Sequence, residues 1–143
     1  MEKNGQLSEL RNAVLRLHKT LVDSERVSYE QTMGTIRSPN HFLQLLSSDP
    51  WFAWLRPMSQ LIVAMDEALE SDDAASAAVN DAFTNQARSL LVASEAGEGF
   101  SKHYDEALQR DPDVILAHAE VTKLFNRKTP SVSPPRGEGQ GEG

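Results

Sequence analysis

The sequence predicts an all-α fold: an antiparallel bundle of four longer and two shorter helices within one domain, residues 1–126, followed by a tail at residues 127–143. Three observations carry this. Leu7, Leu10, Val14, Leu17 and Leu21 recur at steps of three and four, the period of a helix face and not of a strand. Within residues 1–126 a capping side chain followed by proline occurs three times, at Ser38-Pro39, Asp49-Pro50 and Asp111-Pro112, each a helix start whose missing N–H costs nothing. The intervals between these marks are short, which favours antiparallel neighbours.

The first helix is expected over residues 7–33, with Gly34 suited to a left-handed C-terminal cap. Its stripe turns polar halfway, since the same face continues through Glu25, Ser28 and Thr32, flanked by Tyr29 and His18. Phe42, Leu45 and Leu46 give a short second helix its apolar side. The central helix is placed at residues 49–70, the densest apolar run and the one holding both tryptophans. There Trp51, Trp54, Leu55, Met58, Leu61, Ile62, Met65 and Leu69 share a face, while Gln60, Val63, Ala64 and Glu67 lie opposite. Pro57 interrupts it by denying the carbonyl of Ala53 a donor. Because the stripe keeps phase across Pro57, the sequence favours a kinked helix over two separate ones.

A fourth helix is expected over residues 73–94, with Ala74, Ala75, Ala77, Ala78 and Ala82 allowing close approach to a neighbour before Phe83, Leu90, Leu91 and Val92. Gly97 and Gly99 end it. Phe100, Tyr104, Ala107 and Leu108 mark a short fifth helix, and Val114, Ala117, Val121 and Phe125 a sixth with His118 pointing inward. Beyond Asn126 the pattern fails: residues 129–143 are rich in Pro and Gly and hold one apolar side chain, Val132, so the sequence predicts a disordered tail.

Composition narrows the function classes. The chain has 143 residues, no cysteine and a formal charge of −7, with 21 acidic against 14 basic residues. Thiolate chemistry, disulfides and cysteine zinc sites are excluded. Nucleic acid and anionic lipid are not expected as partners, because their phosphates are repelled. No stretch approaches the roughly 18 apolar residues of a membrane span, and Met1 is followed by Glu2, Lys3 and Asn4 rather than by a leader pattern, so a cytoplasmic location is expected.

No catalytic motif appears. None of His18, His41, His103 or His118 has a Glu three residues before it, as di-iron bundles require, and the reversed pair His103 and Glu106 supplies only two ligands. No His-Glu-x-x-His, phosphate-binding glycine loop or Gly-x-Ser-x-Gly occurs. The reading is therefore no metal and no cofactor. Between Pro57 and Ala87 there is no Lys or Arg, and the acidic residues from Asp66 to Asp81, Asp72 and Asp73 among them, read as a solvated corner, with a cation or basic partner as the alternative.

The candidate site is the polar patch on the inner face: Glu25, Ser28, Tyr29 and Thr32, joined by His18, Asp66 and His118, with Trp54 read as a core anchor or, alternatively, as an aromatic ligand wall. A carboxylate on an inner face must be paired, so the patch is either a network fixing helix register or a small acid/base or ligand pocket. Glu25 and His118 are expected to face one interior, with at least one of them hydrogen-bonded. If they pair directly, the carboxylate raises the pKa of His118.

The run from LRNAVLRLHKT through DPWFAWLRPMSQLIVAMDEAL, with the later FSKHYDEALQRDPDVILAHAEV, resembles a group of small, uncharacterised bacterial helical proteins. The resemblance spans about residues 10–124. Its distinctive pieces are Tyr29-Glu30, the segment Asp49 to Pro57, and LQRDP with AHAEV. It implies no activity, cofactor or site residue. The functional expectation is thus a non-enzymatic bundle acting through contacts with another protein or with itself; the alternative is an enzyme or a small-molecule or metal binder using Glu25, Tyr29, Asp66 and His118.

Overall fold

The computed structural model describes residues 2–71, 76–94 and 97–126, which hold six α-helices and no strand. The predicted disordered tail, and Asp72, Asp73, Ala74 and Ala75, lie outside the described residues. Helix α1 (Glu2–Met33) buries Leu7, Leu10, Val14, Leu17 and Leu21, the predicted stripe, together with Ala13. It ends where Gly34 takes φ +109°, a conformation that disfavours side chains, and Gly34 N–H donates to the carbonyl of Glu30. The Glu30 carboxylate then accepts from Ile36 N–H at 2.8 Å, turning the chain toward α2 (Pro39–Ser48). Ser38 caps α2 by accepting from His41 N–H, and Leu45 is its buried anchor.

The expected single kinked helix over residues 49–70 is two elements. Asp49 caps a 3-10 segment, Pro50–Leu55, by accepting from Trp51 N–H at 2.8 Å, and α3 (Arg56–Leu69) follows directly. Pro57 is the cause. The carbonyl of Ala53 cannot receive a bond from Pro57, so Arg56 N–H donates to it over three residues, which winds the chain more tightly than an α-helix. Beyond Pro57 the predicted faces return: Met58, Leu61, Ile62 and Met65 are buried, while Gln60, Val63 and Glu67 are exposed.

Helix α4 (Ala77–Leu90) is shorter than predicted and presents a different face. Ser76 caps it, Asn80 and Ala87 are its buried residues, and Ala78 and Ala82 are exposed. Positions 78 and 82 lie about 160° from position 80 on an α-helix, so Ala78 and Ala82 cannot lie on the inner face once Asn80 does, while Ala77 is half-buried beside it. Helix α5 (Phe100–Arg110) buries Tyr104 and Ala107. Its end and the start of α6 (Pro112–Phe125) share Asp111, whose carboxylate accepts from Asp113 N–H at 2.9 Å while Val114, Ala117 and Val121 turn inward.

The element that organises the bundle is α1, not the tryptophan-rich stretch. At 32 residues it is about 48 Å long, and it packs against α3, α4, α5, α6 and the 3-10 segment. Its contacts with the 3-10 segment and α3 run antiparallel: Arg11 meets Asp66, His18 meets Ser59, and Tyr29 meets Trp51 and Phe52. The antiparallel sense repeats on α6. Glu9 and Asn12 share a hollow with Lys123 and Leu124, whereas Thr20 and Asp23 share one with Leu116 and Ala117.

Candidate functional site

Of the predicted patch, Glu25, Tyr29, His18, Asp66 and His118 reach helix interfaces, Thr32 does not, and the group does not converge. Glu25 is 6% exposed, and its Oε2 accepts from Arg110 Nη2 at 2.8 Å. The same guanidinium donates from Nε and Nη2 to the hydroxyl of buried Ser24, at 3.2 and 3.0 Å. Arg110 is the last residue of α5, a position where a basic side chain offsets the helix dipole, and here it reaches across to α1 as well. A desolvated carboxylate has thereby gained a permanent cation.

His118 does not pair with Glu25. Its Nδ1 lies 2.6 Å from the hydroxyl of Tyr104, a fully buried residue of α5. Burial pushes the tyrosine pKa well above its ordinary value and the histidine pKa below 6.5, so both groups are neutral. Among the described residues His118 Nδ1 is the hydrogen-bond partner of the buried phenol, and with the phenol as donor the imidazole carries its proton on Nε2. Glu25 and His118 are both hydrogen-bonded, as expected of at least one of them. The raised His118 pKa that direct pairing would bring is replaced by a lowered one.

The remaining residues take other partners. Tyr29 packs edge-on against Trp51, with ring centroids 5.5 Å apart, and tilted against Phe52. Trp54 stacks on His103 at 5.4 Å and meets Phe100 edge-on at 5.2 Å. The indole N–H of each tryptophan is buried with no hydrogen-bond partner among the described residues, so these rings act by packing. Ser28 is half-buried and Thr32 is exposed. Asp66, its side chain 42% exposed, is held by Arg11, whose Nε donates to Oδ1 at 2.7 Å and Nη2 to Oδ2 at 3.5 Å. The first helix thus supplies one cation that the acidic stretch lacks in its own sequence.

His18 Nε2 and Ser59 Oγ are 2.9 Å apart across the α1–α3 contact, and burial lowers the histidine pKa. The distance suits a nucleophile and its base. Among the described residues, however, no carboxylate bonds the other ring nitrogen, so the pair lacks the group that orients a catalytic imidazole. His103 Nδ1 and Glu106 Oε1 sit 3.7 Å apart on one turn of α5. No group of three or more potential metal ligands occurs among the described residues.

Concavity lies elsewhere. A groove of about 620 Å³ between α3 and α4 is lined by Pro57, Leu61, Ala64 and Leu90 with Gln60 and Gln86 among its polar residues. None of Glu25, Tyr29, Trp54, Asp66 or His118 lines it, nor the smaller hollows along α1, α4 and α6. Sequence reasoning missed Ser24, Ser59, Arg110 and the hydroxyl of Tyr104. The last falls on the apolar stripe of α5 and reads as core; Arg110 reads as a helix-end charge. No protein-family model matches the chain, and neither a curated protein nor a solved structure is found to be similar to it.

Proposed function

We propose that this protein is a non-enzymatic, cytoplasmic helical bundle that acts through protein–protein contacts, with a second protein or with itself. The observation that carries the reading is the separation of the polar groups between the helices into discrete pairs, Glu25 with Arg110, His118 with Tyr104, His18 with Ser59 and Asp66 with Arg11. Each pair joins two helices and none opens on a described hollow, which is the pattern of groups that fix register. Meanwhile Val27, Met33, Leu43, Ile115 and Leu116 are large apolar side chains left at least half exposed. No helix among the described residues is long and apolar enough to cross a membrane. The acidic charge also argues against nucleic acid. Kinship with the small bacterial helical proteins that residues 10–124 resemble belongs to the same proposal.

A photo-crosslinking amino acid placed in turn at Leu43 and Leu116 tests it in living cells. Discrete adducts from at least one position, together with no thermal stabilisation by panels of metal ions and common metabolites, are expected. A metabolite or metal that raises the melting temperature in a saturable way, and fails to do so in Glu25→Gln or His118→Phe, would replace this reading with a ligand-binding one.

A further inference from the structure

We infer that the outer face of α6 pairs with the same face of a second copy, two-fold and antiparallel; this rests on the contact-based reading above and names the partner. The outward positions of α6 carry Ile115 and Leu116, 50% and 66% exposed, with exposed Ala119 between them and the C-terminal end. This stripe, edged on its α1 side by Glu120 in its ion pair with Arg16, has an exposed acid at one end, Asp113, and an exposed base at the other, Lys123. A stripe so marked is complementary to itself when reversed. Pairing about its midpoint sets Leu116 of one copy over Ala119 of the other, large against small, and brings Lys123 beside Asp113 at both ends.

The surroundings favour a second copy specifically. A chain of net charge −7 repels itself over most of its surface. Along the seam between α1 and α6, two shallow hollows lie on either side of the exposed Arg16–Glu120 ion pair, and their charged residues balance: Glu9, Asp23 and Glu120 against Arg16, Lys19 and Lys123. Two copies meet there without net repulsion.

The test is sedimentation velocity on the full chain over a concentration series from micromolar to millimolar. Wild type is expected to shift from monomer toward dimer. Leu116→Glu should stay monomeric with an unchanged circular dichroism spectrum and melting temperature, since the position is already exposed, whereas Leu43→Glu on α2 should dimerise as wild type does. Asp113→Lys and Lys123→Asp should each weaken association about fivefold, the scale of an exposed charge pair lost twice by symmetry, and the double reversal should restore it. A wild type that is monomeric throughout, a dimer indifferent to Leu116→Glu, or a double reversal that fails to rescue would each overturn the inference. A monomer that still crosslinks to another protein from position 116 overturns self-pairing and leaves the contact-based reading standing; a monomer with no adduct from any position removes both.

Discussion

Replacing Arg110 by Met leaves Glu25 as a buried carboxylate without its cation, and the structure sets the size of the effect. Arg110 donates one bond to Glu25 Oε2 and two to Ser24 Oγ. The serine hydroxyl can turn back to a carbonyl of its own helix, so most of the loss falls on the carboxylate. Breaking a fully buried pair from one side costs about 3–5 kcal/mol. The arginine side chain is 37% exposed, however, and water entering beside it relieves part of this, which brings the expected cost to about 2–3 kcal/mol. For a chain of this size that is a drop of about 6–12 °C in melting temperature. Glu25→Leu alone strands the guanidinium less severely, because that group can reach solvent. The double variant Glu25→Leu with Arg110→Met should recover most of the loss, giving a coupling of about 2 kcal/mol in a double-mutant cycle read by thermal and urea unfolding. Additive single effects, or an Arg110→Met protein as stable as wild type, would refute the assignment of Arg110 as the partner that makes Glu25 tolerable.

Three further outcomes are expected. Tyr104→Phe removes the hydroxyl hydrogen-bonded to His118 Nδ1 and should cost about 1 kcal/mol, while an NMR titration shows the His118 pKa still below 6.5, because burial, which the variant keeps, is what lowers it. His18 and His118 both have folded pKa values below 6.5, so the unfolded chain binds more protons; their contribution is full above pH 6.5 and is lost as the pH falls through the folded values, which a melting-temperature series from pH 8 to pH 5 in wild type and in His18→Gln/His118→Gln will record as a slope flattened in the variant. Asp49→Ala and Asp111→Ala each delete a carboxylate that caps a helix start, and urea unfolding should show a loss of about 1 kcal/mol for each.

Helix starts, ends and buried faces were written locally. The capping side chains of Ser38, Asp49 and Asp111 bond to backbone two or three residues on, and the stripe of α1 is set by the turn of its own helix, so each could be inferred from its neighbours in sequence. Glu25 was recognisable as an inward carboxylate for the same reason. Where a local rule had two outcomes, as at Pro57, the choice of a 3-10 segment depended on which of two hydrogen bonds the carbonyl of Ala53 could make. In α4, the inner face followed Asn80 and Ala87 and not Ala78 or Ala82, because the packing of α1, α3 and α6 selected the side to be buried.

What the chain could not announce was partnership. Arg110 and Glu25 are 85 positions apart, Asp66 and Arg11 are 55, and His18 and Ser59 are 41. Periodicity reports which way a side chain faces on its own helix; it carries no information on which residue of another helix arrives at the same depth. That depends on the axial offset and crossing of α1 with α3, α5 and α6, which the apolar core sets through the summed fit of many side chains. The sequence by itself therefore determined that Glu25 would face inward, though not that Thr32 would be exposed, and the tertiary structure alone decided that Glu25, His18, Asp66 and His118 would each be matched by a separate partner instead of sharing one pocket.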